Sequence, residues 1–292
     1  MKLGNLKWVG VLLVMAPLTA LAGQSVDKRW DIDANASVSI ENIAGEIVIQ
    51  GWNREEAHLT GELANSVDKL EIDASESRLR IRVKHRNERS VDPSELMLMV
   101  PMGAGIEAAG VSADITVLGM DNEKLSASSV SGNVEVEAIS AWVSIESVSG
   151  DVEFEGETGR ISAESVSGDI DLSGIYGEIS ATAVSGDMDL AAGSVESAKL
   201  ETVSGDITLV GEIAKNGRLS AESMSGDVRV NLPSAQSGSF KAQTFSGRID
   251  TDFGAVEHAR HGPGSHLKFT SGSGGAEVRV ESFSGNISIK HD

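Results

Sequence analysis

The chain has 292 residues, 24 Lys and Arg against 44 Asp and Glu, a formal charge of −20 and no cysteine. So acidic a balance argues against nucleic acid or anionic lipid as partner, because phosphate binding needs clustered Lys and Arg. The absence of cysteine excludes a disulfide framework and a lipid-modified cysteine. Glycine is plentiful at 32 residues while aromatics make up only 4% of the chain, a turn-rich β composition.

The first residues read as an export signal. Lys2 and Lys7 form a positive n-region, residues 8–16 an apolar stretch, and Ala20-Leu21-Ala22 a small-residue cleavage site. Cleavage after Ala22 would leave 270 residues and, with both lysines gone, a charge of −22. No later stretch approaches the ~20 apolar residues of a membrane span, so no transmembrane segment is expected in the mature chain. The expected location is periplasmic, outer-surface or secreted.

Residues 23–120 predict a β-rich cap with the first, faint coils. Ile43-Ala44-Gly45-Glu46-Ile47 and Val111-Ser112-Ala113-Asp114-Ile115 each resemble a corner followed by a strand. Between them lie longer strand patterns at 58–63, 69–73, 78–84 and 96–100. Arg78, Arg80, Arg82 and Lys84 alternate there with Leu79, Ile81 and Val83, which places four cations on one outer face, with Arg86 and Arg89 beyond. This basic patch is a candidate contact for a glycan, a lipid headgroup or an acidic surface of another copy, against the plainer reading of a charged edge strand.

Residues 121–292 carry the repeat. Val-Ser-Gly-Asp or Met-Ser-Gly-Asp tetrads begin at Val148, Val166, Val184, Val203 and Met224, with looser copies at Val130, Phe245 and Phe283. The Gly-to-Gly steps from Gly132 are 18, 18, 18, 19, 21 and 21 residues, then 38 to Gly285. A fixed period near 20 with short strands is the signature of a solenoid. Counted from the glycine, positions two and four after it are apolar, with Thr251 the one lapse, as are positions two, five and seven before it. All are assigned here to the core face. Each coil therefore reads as strand, Ser-Gly corner, strand, with a second break often at glycine (Gly156, Gly174, Gly193, Gly211). The left-handed hexapeptide helix is rejected, because its third apolar position would hold Lys124, Trp142, Arg160 and Glu178. An insertion loop is expected at about 252–275, around Gly262-Pro263-Gly264.

Candidate chemistry is repeat-generated. Asp151, Asp169, Asp187, Asp206 and Asp227 follow the corner glycine directly, and a ladder of carboxylates could hold Ca2+, the one ion considered as a cofactor. The competing reading makes each Asp an acceptor for turn N–H groups. Glu146, Glu164, Glu201, Glu222 and Glu281 form a second row four residues before the glycine, expected to point outward. His258, His261 and His266 beside Glu257 are a weak transition-metal candidate. No serine is marked as activated by a histidine, so no catalytic residue is assigned.

The export signal, Asn42-Ile43-Ala44-Gly45-Glu46-Ile47 followed by Gly51-Trp52, the Leu98-Met99-Val100-Pro101 step and the Val-Ser-Gly-Asp corners together resemble the bacterial putative-adhesin family of β-strand-repeat domains of unknown function. The resemblance covers nearly all of the mature chain. It implies a right-handed parallel β-helix-like solenoid at the cell envelope and no catalytic residues. The function expected is a non-catalytic binding or scaffolding surface for a cell-surface, glycan or envelope-protein partner, with self-association possible. The alternatives are an envelope-stress or regulatory partner protein and, third, a carbohydrate-active β-helix enzyme.

Overall fold

The computed structural model describes residues 24–86, 91–258 and 264–292, so the export-signal region lies outside the described residues. Among the described residues there is no helix, and 19 strands form one mostly parallel sheet that winds as a solenoid. The expectation of an all-β solenoid holds.

The central coils are β7 (Gly105–Ser129), β8 (Val134–Ser147), β9 (Val152–Ser167), β10 (Ile170–Ser185), β11 (Met188–Ser204) and β12 (Ile207–Ser225), preceded by β1 (Gln24–Asp31), β2 (Ser37–Trp52), β3 (Glu56–Leu63), β4 (Val67–Ser75), β5 (Arg78–His85) and β6 (Ser94–Pro101). Each central coil pairs in parallel with the next, and corner falls on corner: Ile170 lies opposite Val152 and Met188, and Ala181 opposite Ala163 and Leu200. The sequence predicts two short strands per coil. One strand is seen instead, running from just after one Ser-Gly corner to the next and bending at the second break without losing its pairing. Gly156 and Gly174 take positive φ (151° and 79°) at that bend, which L-residues with a Cβ resist.

The corner glycines are needed for a different reason. None from Gly132 to Gly226 has a positive φ. Instead a Cβ on Gly150, Gly168 or Gly186 would sit 2.2 Å from the carbonyl oxygen of the corner below. Close approach of stacked backbones, not turn geometry, selects glycine there.

The core is a flattened stack of aliphatic columns. Positions two and four after the corner, and five and seven before it, are buried in every coil except at Thr251, as in Val152, Phe154, Ile161 and Ala163. Position three before the corner is also inside and is mostly a hydroxyl: Ser129, Ser147, Ser165, Thr202, Ser223 and Ser282. Several of these donate to a corner carbonyl of the neighbouring coil, Ser129 to Ala113 at 2.8 Å and Ser282 to Gly226 at 3.1 Å. That buried hydroxyl completes the alternation, and it forces position two outward. The column Val130, Val148, Val166, Val184, Val203, Met224, Phe245 and Phe283, assigned to the core from its apolarity, is therefore exposed. This corrects the sequence reading.

Both ends are built out of chain order. After β12 the chain forms β13 (Val228–Leu232), β14 (Gly238–Ser246), β15 (Ile249–Thr251), β16 (Val256–His258), β17 (Ser265–Ser271), β18 (Ala276–Ser284) and β19 (Ile287–His291). β18 pairs with β12 on one side and β14 on the other, while β19 lies between β13 and β15. The last coil thus slots between the two that precede it in sequence. β17 then covers β14 in antiparallel fashion, with β16 beside it, in the region where a loop is expected. The N-terminal end mirrors this. β5 and β6 stack under β2 although they follow it, and antiparallel β4, β3 and β1 cover them. Backbone groups at the ends of the stack are thereby partly paired off, which limits edge-to-edge association.

Candidate functional site

The feature that the repeat builds is an apolar ridge. In stacking order it runs Val111, Val130, Val148, Val166, Val184, Val203, Met224, Phe283 and Phe245. The six valines are 43–48% exposed, Phe245 is 49%, and Met224 and Phe283 reach 60% and 59%. One side chain per coil at about 4.8 Å spacing makes a ridge about 38 Å long. Its last two members meet only because of the inserted coil: Phe245 and Phe283 stack with ring centroids 5.0 Å apart and planes 7° from parallel. At this broad end a groove of about 850 Å3 is lined by Val203, Met224, Phe283 and Phe245 together with Glu201, Glu222, Glu281 and Arg279.

Acidic rows flank the ridge along the chain. Two residues before it stand Glu146, Glu164, Glu201, Glu222 and Glu281, on the outer face as expected. Three residues after it comes the Asp row. Its members are tied together by a relay in which each corner N–H donates to the Oδ1 of the coil below. Asp169 N–H bonds Asp151 (3.0 Å), Asp187 bonds Asp169 (2.8 Å), Asp206 bonds Asp187 (2.7 Å) and Asp227 bonds Asp206 (2.8 Å). Asn133 and Asn286 accept in the same way from Asp151 (3.0 Å) and Arg248 (3.1 Å). The acceptor role expected of Asp is present, but it joins successive coils and is not a local turn bond. The middle and the broad end of these rows differ in charge. Arg229 bridges Asp206 and Asp227 (2.8 and 3.0 Å), Lys199 pairs with Glu201 (2.7 Å) and Arg279 with Glu281 (2.9 Å). Burial works against the Asp206 carboxylate, yet hydrogen bonds from Arg229 and the Asp227 N–H hold its pKa below the usual range. Glu146, Glu164, Asp151 and Asp169 make no ion pair among the described residues, whereas Asp187 lies within the field of Arg229. On the neighbouring sheet face, burial followed by the charges of Asp189, Glu153, Asp169 and Asp151 pushes the Asp171 carboxyl above its usual range.

The other sequence candidates are dispersed. Arg78, Arg80 and Lys84 are exposed on β5, but β5 is flanked by β2 and β4 and is not the edge strand of the plainer reading. Arg82 makes a two-pronged pair with Glu41, Nε to Oε2 at 2.6 Å, and this bond, opposed by burial, holds Glu41 below its usual pKa. Across β4, Asp73 stands opposite Arg80 and Glu71 opposite Arg82, so acids interleave the basic patch. His266 pairs with Glu257 at 3.2 Å, His258 lies on β16 opposite Ser265, and His261 lies outside the described residues. No group of three or more ligating side chains is assembled among the described residues. A shallower hollow of about 450 Å3 at the bend is lined by Trp142, Arg160, Tyr176 and Glu178, with the Lys124 ammonium 4.6 Å from the centre of the Trp142 ring.

A stack of parallel coils capped by antiparallel strands defines a solenoid of the repeat-domain class. Residues 31–290 match the Toastrack DUF4097 family model, and the chain belongs to that family. Among solved structures, the chain is similar to one described as a putative lipid binding protein from Parabacteroides distasonis ATCC 8503, at 12% identity over 91% of this chain and 97% of that one, with a TM-score of 0.54. It is also similar to a putative adhesin from Bacteroides fragilis NCTC 9343, at 14% identity over 92% and 97%, with a TM-score of 0.48. No curated protein matches. At such identities the first likeness speaks for the fold alone. No helix of the described residues is long and apolar enough to cross a membrane.

Proposed function

We propose that the protein is an exported, non-catalytic binding solenoid of the cell envelope and that the apolar ridge is its contact surface. The observation that carries this is the ridge itself. Soluble monomers rarely leave a contiguous apolar patch of such extent exposed, and patches rimmed by polar residues mark interaction sites. Export is supported by the charged and apolar N-terminal stretches and the Ala-Leu-Ala step. A rigid row of equivalent side chains suits a partner that lies along several coils and gains from many modest contacts. The Asp and Glu rows are generated by the repeat and, in the case of Asp, bonded coil to coil, which suits them to holding the corners and keeping the ridge soluble.

The test is cosedimentation of the purified protein with envelope fractions of the producing bacterium, set against a Val148→Ser/Val166→Ser/Val184→Ser variant. The bound fraction should fall severalfold in the variant. Its thermal midpoint should fall by no more than the four valine pairs lost along the ridge contribute, about 0.2–1 kcal/mol each, and its circular dichroism should keep the native β signature. A correctly folded variant that binds as well as wild type would remove the ridge from the function.

A further inference from the structure

The ridge is graded in two independent ways, and the grading specifies an occupant. Apolar bulk grows toward one end, from valine through Met224 to the stacked Phe283 and Phe245, where the groove opens. Uncompensated negative charge is concentrated in the middle. There Val148 and Val166 run between Glu146 and Glu164 on one side and Asp151 and Asp169 on the other. The cations Lys199, Arg279 and Arg229 neutralise most of the charge near the aromatic end.

We infer that the ridge receives an amphipathic helical polypeptide segment with an apolar or aromatic anchor at one end and Lys or Arg on both flanks of its apolar stripe. This rests on the proposed function. A helix fits the lane geometry, because its apolar stripe is narrow and its polar flanks lie on either side of it. Its pitch of about 5.4 Å departs from the coil spacing of about 4.8 Å by about 0.6 Å per coil. Register can therefore hold over three or four coils, which is the length of the groove formed by Val203, Met224, Phe283 and Phe245. Met224 is a flexible side chain suited to a fitted anchor, and the aromatic pair has the character of a binding hot spot. Beyond the groove, register is unnecessary. Long Lys and Arg side chains can reach the middle carboxylates from many positions, and their stems cover the valines. From Val148 to Phe245 the ridge passes through seven coils, about 29 Å, which a helix of about 19 residues spans.

A second copy of this chain is a poorer occupant. Ridge against ridge would oppose acidic rows to acidic rows. The chain's own basic strand offers cations but buries Leu79, Ile81 and Val83, so it brings no apolar half.

The experiment titrates the purified protein into two labelled 20-residue helical peptides followed by fluorescence anisotropy. One peptide has a Leu/Trp end and lysine flanks; in the other, glutamate replaces every lysine. The basic peptide should bind, and the acidic one should bind at least about tenfold more weakly. Phe245→Ser/Phe283→Ser should weaken the basic peptide about tenfold or more. Glu146→Gln/Glu164→Gln should weaken it severalfold and flatten its salt dependence. Equal binding of both peptides, or unchanged affinity and salt dependence in the glutamine variant, would overturn the inference. If neither peptide binds while ridge variants still lose the envelope fraction, the helical occupant is wrong and the ridge remains the contact surface. If the ridge variants keep the envelope fraction as well, both fall. Peptide-independent dimerisation of the protein that Val166→Asp abolishes would identify a second copy as the occupant and equally overturn it.

Discussion

Gly168→Ala should cost far more than a glycine-to-alanine change on a surface corner normally does. The new Cβ would lie 2.2 Å from the Gly150 carbonyl oxygen and 2.6 Å from its carbon, where ordinary contact begins at 3.4 Å. The two coils would have to part by roughly 1.2 Å at that point. Three hydrogen bonds bracket the site and resist: Ser167 N–H to Val148 O at 2.9 Å, Asp169 N–H to Asp151 Oδ1 at 3.0 Å, and Val152 N–H to Asp169 O at 2.9 Å. A parting of that size takes all three beyond useful length, and at about 1 kcal/mol net for each the loss is about 3 kcal/mol. For a chain of this size that lowers the thermal midpoint by about 6–12 °C. Gly159→Ala is the matched control. Its φ is not positive, and the nearest atom to its Cβ would be 3.6 Å away, so it should be neutral within about 0.5 kcal/mol or slightly stabilising. Calorimetry gives the midpoints, and hydrogen exchange should show faster exchange confined to the coils around 148–169, because solenoid coils depend on their neighbours. Equal midpoints and equal exchange for the two variants would refute close approach as the reason for corner glycines.

The Asp relay should tolerate loss of charge but not loss of the acceptor. Asp169→Asn keeps an oxygen for the Asp187 N–H at 2.8 Å, as Asn133 and Asn286 already do elsewhere in the relay, and should melt within about 0.5 kcal/mol of wild type; Asp169→Ala should lose about 1 kcal/mol. Because no group of three or more ligating side chains is assembled among the described residues, the wild-type midpoint should be the same in calcium and in chelator, and a rise of several degrees with calcium would assign the row to ion binding. At Asp171 the folded carboxyl is raised above its ordinary 3.8, so its contribution to stability falls as pH climbs from that value through the raised one. Asp171→Asn should therefore be more stable than wild type in urea at pH 7, with the advantage gone below about pH 3.5; an advantage that persists or grows in acid would contradict the assignment.

The architecture was legible because a solenoid repeats its constraints. The corner glycines, the apolar columns on each side and the outward Glu row could all be aligned from Gly132 to Gly226. What failed was parity. Positions two and five before the corner are three residues apart, and an alternating strand cannot put both inside. Val166 looked like core because it is valine, whereas Ser165, the true inner residue, looked like surface because it carries a hydroxyl. The pattern was there to be read; hydrophobicity alone pointed the wrong way. The order of the last coils had no such signal. Phe-Ser-Gly-Arg at 245 and Phe-Ser-Gly-Asn at 283 offer equivalent corners, so nothing local says that Gly285 stacks on Gly226 ahead of Gly247. β5 misled in another way: a strand with four cations on one face reads as an edge, but Glu41, Glu71 and Asp73 on its neighbours make a central position tolerable.

That parity result bears on why the ridge exists. Stacked valines on an open sheet face do contribute, each cross-strand pair adding about 0.2–1 kcal/mol, so a purely structural ridge is conceivable. Such a ridge would favour β-branched residues in every coil, since these fit a pleated surface best. Six coils comply. The three at the broad end do not: Met224, Phe283 and Phe245 are among the most exposed large apolar side chains of the described residues, and they sit where an inserted coil has brought two of them into a stack over a groove. Sheet stability gives no reason to trade valine for a more exposed and bulkier side chain at that end. A partner that buries those rings does. The acidic rows then have a second task besides solubility: charges beside each apolar residue discourage unselective association of the ridge, and a partner must bring cations of its own to neutralise them.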